Sequence, residues 1–80
     1  MKEAEIYDEL KEIFADVFLR DDIDLRPTLI AKEVDGWDSF KQIEIIISSE
    51  ERFGVKFSTK EIDNLKSLGD LVGLIVAKTS

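Results

Sequence analysis

The apolar positions near the start of the chain recur at helical spacing. Counting from Ile6, the apolar residues of one stripe stand 4, 7, 8 and 11 positions later, which places them on one side of a helix with about 3.6 residues per turn. The pattern predicts an amphipathic helix, helix I, from about residue 3 to about residue 19. Its apolar stripe consists of Ile6, Leu10, Ile13, Phe14 and Val17.

The stretch after helix I, "RDDIDLRPTLIAKEVDGW", has no helical period and contains the breakers Pro27 and Gly36. We interpret it as a long loop whose scattered apolar residues hold it to the core, with Trp37 packing its end. Loops longer than about 12 to 15 residues are uncommon in compact domains and often carry function. The apolar residues expected to anchor this loop are Ile23, Leu25, Leu29, Ile30 and Val34.

A second helix is predicted between Asp38 and Gly54. The segment "IEIIIS" is rich in β-branched residues, which are common in strands. However, the interval from Asp38 to Gly54 is much longer than a typical strand of about 5 to 6 residues. Asp38 is also a favourable N-cap and Gly54 a favourable C-terminal stop. Helix II is therefore the better interpretation.

Two further helices follow. Ser58 and Glu61 have the spacing of a capping box, which predicts a short helix III. This helix carries Ile62 and Leu65. Ser67 with Asp70 begins helix IV, whose apolar residues again follow helical spacing. They are Leu68, Leu71, Val72, Ile75 and Val76.

Two glycines weaken helix IV. Gly69 and Gly73 each cost about 1 kcal/mol of helix stability relative to alanine, so helix IV has to rely on packing against its neighbours. The predicted fold is all-α: a four-helix bundle with a long loop between helices I and II and a short helix III. We expect residues 1–80 to form a single domain.

Composition restricts the classes of function. The chain has 80 residues, a net charge of −7 and no cysteine or histidine. Its charged start lacks the apolar run of a signal peptide, and no apolar stretch approaches the roughly 20 residues that span a bilayer. A cytoplasmic protein is expected, with no membrane insertion. The acidic charge also disfavours nucleic acid as a partner. Residues 1–38 hold 12 acids and 5 bases, whereas residues 39–80 hold 6 of each.

The residues for conventional catalysis are missing. Without histidine no Ser-His-Asp arrangement can form, and no motif places a lysine as a base for a serine. Zinc would lack its histidine and cysteine ligands. A calcium loop starting at Asp22 would have Arg26 and Pro27 at positions that need a ligand and a glycine, so a calcium sensor remains only a third alternative. We expect the chain not to be an enzyme.

Helix II has an unusually wide apolar surface. At 100° per residue, its large apolar residues cover an arc of about 220°, against the roughly 100° that a surface helix needs. One interpretation is that helix II lies at the centre and contacts all three other helices. The other is that the edge formed by Phe40, Ile43 and Ile47 lines a ligand pocket or a partner surface. Glu44 and Glu51 lie beside that edge, which would suit a basic partner.

Ser39 has two interpretations. On the pair "DS" alone, it is a first-turn serine beside the Asp38 cap. The first turn of a helix is also where a phosphate group is best held, since free N–H groups and the positive end of the helix dipole lie there.

The motif "GWDSF", followed by "IEIIISSEERFGVKF" and "SLGDLVGLI", resembles that of acyl carrier proteins over almost the whole chain. The resemblance implies a four-helix bundle whose Ser39 receives 4'-phosphopantetheine from coenzyme A. Asp38 then corresponds to the acid that assists the magnesium-dependent phosphopantetheinyl transferase, and Gly36 to the glycine of the turn. The missing cysteine and histidine are explained as well, because the reactive thiol is imported with the cofactor.

The resemblance also assigns roles along helices II and III. The positions that meet partner enzymes are Phe40, Glu44, Ile47 and Glu51. Those around an acyl pocket are Ile43, Ile46, Ile62 and Leu65. The implied partners are the transferase and acyl-activating, acyltransferase or synthase enzymes, to which the protein presents acyl intermediates held as thioesters.

Three departures from the family pattern suggest a specialised pathway. Residues 38–65 carry 6 acids and 4 bases, which is less acidic than in the fatty-acid members. Lys41 lies two residues after Ser39, and Ser49 stands in the core arc where the family usually has leucine. A polyketide or surface-polymer acylation system fits such a carrier. An aminoacyl or peptidyl carrier is an alternative, as is a non-carrier helical interaction protein in which Ser39 only caps the helix.

Overall fold

The computed structural model describes residues 1–79, and within them it contains four α-helices and no strand. They are α1 (Glu3–Phe18), α2 (Ser39–Phe53), α3 (Thr59–Asp63) and α4 (Leu68–Thr79), with a short 3-10 helix at Ala31–Glu33 in the long loop. The predicted all-α bundle is confirmed. Helix α3 ends at Asp63, so Ile62 lies on it as predicted, whereas Leu65, expected on helix III, lies in the connection to α4. The 3-10 turn was not predicted.

Helix α1 is the helix that packs most broadly. All five residues of its apolar stripe are buried, and α1 packs extensively against both α2 and α4. Helix α1, rather than helix II, is therefore the helix with extensive packing on two neighbours. Part of the wide apolar arc on α2 needs a different explanation.

The long loop is held to the start of α4 by two backbone hydrogen bonds. The N–H of Leu68 donates to the carbonyl of Leu29, and the N–H of Gly69 donates to the carbonyl of Pro27, both at 2.9 Å. These two amides lie in the first turn of α4, where a helix has no carbonyl of its own for them. Leu29 and Val34 are buried, as predicted for loop anchors.

Gly69 has a positive role that its helix propensity does not suggest. A Cβ atom at this position would lie 2.9 Å from the carbonyl oxygen of Pro27, too close for a real contact with backbone. The glycine is therefore what allows the loop to approach α4. At Gly73, by contrast, an added Cβ atom would meet nothing within 4 Å.

Side chains on α2 connect it to α1. Helix α1 ends at Phe18 and is followed by the C-cap residue Leu19 in a left-handed conformation with φ 56°; the last turn of α1 contains no basic residue. Lys41 of α2 supplies a positive charge at this end: its Nζ donates a hydrogen bond to the carbonyl of Val17 at 3.1 Å. A cation at this position interacts favourably with the negative end of the α1 dipole. Near the other end of α2, Arg52 pairs with Glu9 and, at 2.7 Å, with Glu12.

Helix α3 is held by polar contacts. The predicted capping box is present, with the Glu61 N–H donating to Ser58 Oγ at 3.1 Å and the Ser58 N–H donating to Glu61 Oε1 at 2.8 Å. Lys78 of α4 lies 3.0 Å from Glu61. The bonds from the Ser58 backbone and from Lys78 hold the pKa of the Glu61 carboxyl below its usual value. No residue of α3 is fully buried.

Candidate functional site

At the start of α2, the Ser39 side chain takes no part in capping the helix. Asp38 is the N-cap, and its Oδ1 accepts a hydrogen bond from the Lys41 N–H at 3.0 Å. Gly36 forms the preceding turn with φ 86°, a left-handed conformation that favours glycine. Ser39 is the first helical residue and is exposed. Ser39 is therefore a first-turn serine beside the Asp38 cap, as the pair "DS" predicted, and the alternative in which Ser39 itself caps the helix is wrong.

The turn before Ser39 is fixed by aromatic packing. The Trp37 ring lies 5.3 Å from Phe14 in an edge-to-face arrangement and 5.9 Å from Phe18. Its Nε1 donates to Gln42 Oε1 at 2.8 Å. Trp37 therefore packs the end of the loop, as predicted, and joins it to both α1 and the first turns of α2.

A cavity of about 640 Å³ adjoins Ser39 and Asp38. The long loop, the first turns of α2, the end of α3 and the start of α4 line this cavity, which is open to solvent on one side. Three of the residues predicted around an acyl pocket line this cavity, namely Ile43, Ile62 and Leu65. The fourth, Ile46, does not line it and is buried in the core.

Other lining residues of this cavity were missed by the sequence analysis. Leu29 and Ile30 come from the loop, and Leu68 and Leu71 come from α4. Ile30 was expected to anchor the loop, but it is exposed. Gln42 also lines the cavity. Its position one turn after Ser39, within the apolar arc of helix II, was the signal that could have identified it.

The remaining part of the wide arc faces solvent. Phe40 is 77% exposed, Ile43 is 55% exposed and Ile47 is 50% exposed. Spaced three and four residues apart, they form one stripe along α2, which we call the apolar stripe of α2. Glu44 and Glu51 are exposed as well. Large apolar side chains that neighbouring helices leave uncovered are typical of surfaces that meet a partner.

One side chain of α2 is buried without a partner. Ser49 lies in the core arc, as predicted, and is fully buried. Within residues 1–79, no group forms a hydrogen bond with its Oγ. A buried hydroxyl without a partner lowers stability, because it loses its hydrogen bonds to water.

The calcium alternative finds no support in the loop. Among residues 1–79, no three acidic residues are grouped so that they could hold a metal ion. Asp22 pairs with Arg20, whose hydrogen bond holds the pKa of the Asp22 carboxyl below its usual value. Asp24 lies 3.6 Å from Arg26.

None of the helices within residues 1–79 has the length and apolar character needed to span a membrane.

Comparison with known proteins agrees with this geometry. Residues 8–75 match the family model described as a phosphopantetheine attachment site. The chain is 32% identical over 79 residues to an acyl carrier protein of Acidothermus cellulolyticus, covering 99% of this chain and 94% of that protein. It is 33% identical over 76 residues to an acyl carrier protein of Lactobacillus acidophilus, covering 94% of each.

A solved structure extends the agreement to the fold. The solution NMR structure of holo acyl carrier protein from Geobacter metallireducens matches with a TM-score of 0.83 and 38% identity, covering 89% of this chain and 82% of that one. The chain therefore belongs to the acyl carrier protein family, as a carrier of covalently attached 4'-phosphopantetheine and not as an enzyme.

Proposed function

We propose that Ser39 is the attachment residue and that the protein holds acyl intermediates as thioesters beside the cavity that Ser39 adjoins. The observation that carries this proposal is the combination of an exposed serine with no capping role and a cavity of about 640 Å³ next to it. A serine needed for the cap would have to give up that hydrogen bond on modification. Ser39 does not, because Asp38 caps α2.

The first turn of α2 suits a phosphodiester. Ser39 is the first helical residue, so an anion on its Oγ would lie near the positive end of the helix dipole. Asp38 directs one carboxylate oxygen at the Lys41 N–H, and its second oxygen remains available for the magnesium of the transferase. When bound, the cofactor supplies the thiol that this chain lacks.

The cavity favours acyl cargo over a small polar one. Its lining includes the apolar side chains of Ile43, Ile62 and Leu65, together with Leu29 and Leu68, which are buried. Each methylene that moves from water into such surroundings contributes about 0.8 kcal/mol. An aminoacyl group would gain little from this lining. The alternative of an aminoacyl or peptidyl carrier is therefore less well supported.

The apolar stripe of α2 is the proposed surface for partner enzymes, together with Glu44 and Glu51. Lys41 reduces the attraction of this surface for a basic partner, because its Nζ lies 3.7 Å from Glu44. A partner of this carrier would therefore rely more on apolar contact with Phe40 and Ile47 than on a dense basic patch. This combination supports a dedicated cytoplasmic pathway, such as polyketide or surface-polymer acylation, with its own acyl-activating, acyltransferase or synthase enzymes.

Intact mass spectrometry tests the attachment residue. The protein is incubated with coenzyme A, magnesium and a broad-specificity phosphopantetheinyl transferase. We expect one phosphopantetheine group on the native protein and none on Ser39→Ala, with nearly unchanged circular dichroism because Asp38 still caps α2. Ser48→Ala, on the same helix, is the matched control and should be labelled like the native protein. Labelling of Ser39→Ala, or an unlabelled native protein, would refute the proposal.

A further inference from the structure

The amide of Gln42 has a defined orientation. An indole N–H can only donate a hydrogen bond, so the Gln42 atom 2.8 Å from Trp37 Nε1 has to be the oxygen. The Nε2 group therefore lies on the side of the amide away from the indole. Among residues 1–79, no group accepts a hydrogen bond from Nε2.

The surroundings hold this amide in place. Trp37 packs edge-to-face on Phe14 and tilts against Phe18, which restricts the indole to one position. The backbone of Gln42 is fixed in the first turns of α2 by its N–H bond to the Asp38 carbonyl at 2.9 Å. Gln42 is only half-exposed. Among residues 1–79, Ser49 Oγ is the buried side-chain polar atom without a partner, so Gln42 Nε2 is open to solvent. Its two N–H donors are thus held in place without a protein acceptor and can donate to a ligand that displaces water.

The free donors lie where a tethered group has to pass. Gln42 follows Ser39 by three residues, so the two side chains are neighbours on one helix face, with about 5 to 6 Å between their Cβ atoms. Both line the same cavity, together with Ile43. Any chain that is attached to Ser39 and enters the cavity comes within reach of Gln42.

We propose that Gln42 Nε2 donates a hydrogen bond to a carbonyl oxygen of the group tethered to Ser39, with Trp37 as the residue that positions the amide. The ligand class is a thioester that carries a further carbonyl, and the acceptor lies either in an amide of the pantetheine arm or at the 3-position of the acyl chain. This inference rests on the proposed function. It adds a polar specificity element to a cavity that is otherwise suited to saturated chains.

The sequence makes the test unusually clear. The chain has one tryptophan, one glutamine and one asparagine. A nitrogen-15 correlation spectrum therefore contains one indole signal and two side-chain amide pairs. Asn64, in the C-cap of α3, is absent from the cavity lining and serves as the internal reference. The spectra are compared for the apo, holo, octanoyl and 3-oxo-octanoyl forms, with loading checked by intact mass.

The expected result is a shift of the Gln42 amide pair and slower exchange of its hydrogens with solvent. If the shift is already present in the holo form, the acceptor lies in the arm. If it is present only in the 3-oxo form, the acceptor lies in the cargo. Either result supports the proposal. Unchanged Gln42 signals in all loaded forms, while intact mass shows complete loading, would overturn it.

Two variants separate the donor from the packing of the indole. Gln42→Glu keeps an oxygen for Trp37 but removes both N–H donors, and Asn64→Asp makes the same change away from the cavity. The apo forms are titrated with the N-acetylcysteamine thioesters of octanoate and 3-oxo-octanoate, which need no attachment to Ser39. We expect Gln42→Glu to weaken binding of the 3-oxo thioester, or of both if the acceptor is the amide, by about five-fold or more.

In these titrations Asn64→Asp should bind like the native protein, and the indole signal of Gln42→Glu should stay in place. Equal binding by Gln42→Glu and the native protein would overturn the role of Gln42. Because these titrations use the apo protein, they still give an answer if the transferase fails to load Ser39. That failure would count against the proposed function alone.

Discussion

Replacing Ser49 with alanine should make the protein more stable. Ser49 is fully buried, and within residues 1–79 its Oγ has no hydrogen-bond partner. A buried polar group without a partner costs about 1 to 3 kcal/mol. Alanine also has a higher helix propensity than serine, by roughly 0.5 kcal/mol. The two side chains differ by a single oxygen, so the substitution leaves almost no cavity.

The free energy of unfolding should therefore rise by at least about 1 kcal/mol. In a domain of this size, such a gain raises the melting temperature by about 4 to 8 °C. Urea denaturation followed by circular dichroism at 222 nm measures the effect, and the m-value should stay constant because the buried surface hardly changes. Thermal melts provide an independent measurement.

Ser48→Ala is the matched control for this prediction. Ser48 is the preceding residue of α2 and is partly exposed, so its replacement reports helix propensity without the buried hydroxyl. The difference between the two variants isolates the cost of burying Ser49 Oγ. If Ser49→Ala is no more stable than Ser48→Ala, the Ser49 hydroxyl has a partner in solution and the reasoning fails.

Three further predictions concern α4, α3 and the cavity. Gly69→Ala should destabilise the protein by about 1 to 3 kcal/mol, because the added Cβ would meet the Pro27 carbonyl. Gly73→Ala, where the added Cβ meets nothing, should raise the stability by up to about 1 kcal/mol. Thermal melts of both variants measure these changes. The pKa of Glu61, beside Lys78, is lowered in the folded protein, so the ionised carboxylate stabilises the fold fully above the ordinary pKa of 4.5, and this stabilisation is lost as the pH falls through the lowered pKa. In urea titrations, the difference in unfolding free energy between the native protein and Glu61→Gln should therefore shrink below pH 4.5. A difference that stays constant with pH would contradict this. Octanoyl protein should melt at a higher temperature than acetyl protein, and equal values would argue against an acyl chain in the cavity.

The helices themselves could be predicted from local sequence signals. The apolar spacing of α1, the Asp38 cap and Gly54 stop of α2 and the Ser58–Glu61 capping box all lie within one element. Helical hydrogen bonds join residues four apart, so the information that begins and ends a helix is found within a few positions of each boundary. The motif around Ser39 identified the family for the same reason, since its residues are consecutive.

What the helices pack against was not contained in these patterns. A wide apolar arc indicates that a surface needs covering, but it does not say by what. The arc on α2 includes buried core at Ile46, cavity lining at Ile43 and an exposed stripe at Phe40 and Ile47. The resemblance placed Ile46 around the acyl pocket, whereas the packing of α2 on α1 places it in the core.

The site depends on contacts between residues far apart in the chain. Gly69 meets Pro27, Lys41 reaches the Val17 carbonyl, and Trp37 packs on Phe14. None of these pairs has a spacing that a pattern of 3.6 residues can relate. The amino-acid sequence alone was therefore enough for the four helices, the family and a candidate attachment residue. The cavity, the unused hydroxyl of Ser49 and the free donors of Gln42 arise only when the helices pack, because burial and hydrogen-bond partners belong to the assembled fold.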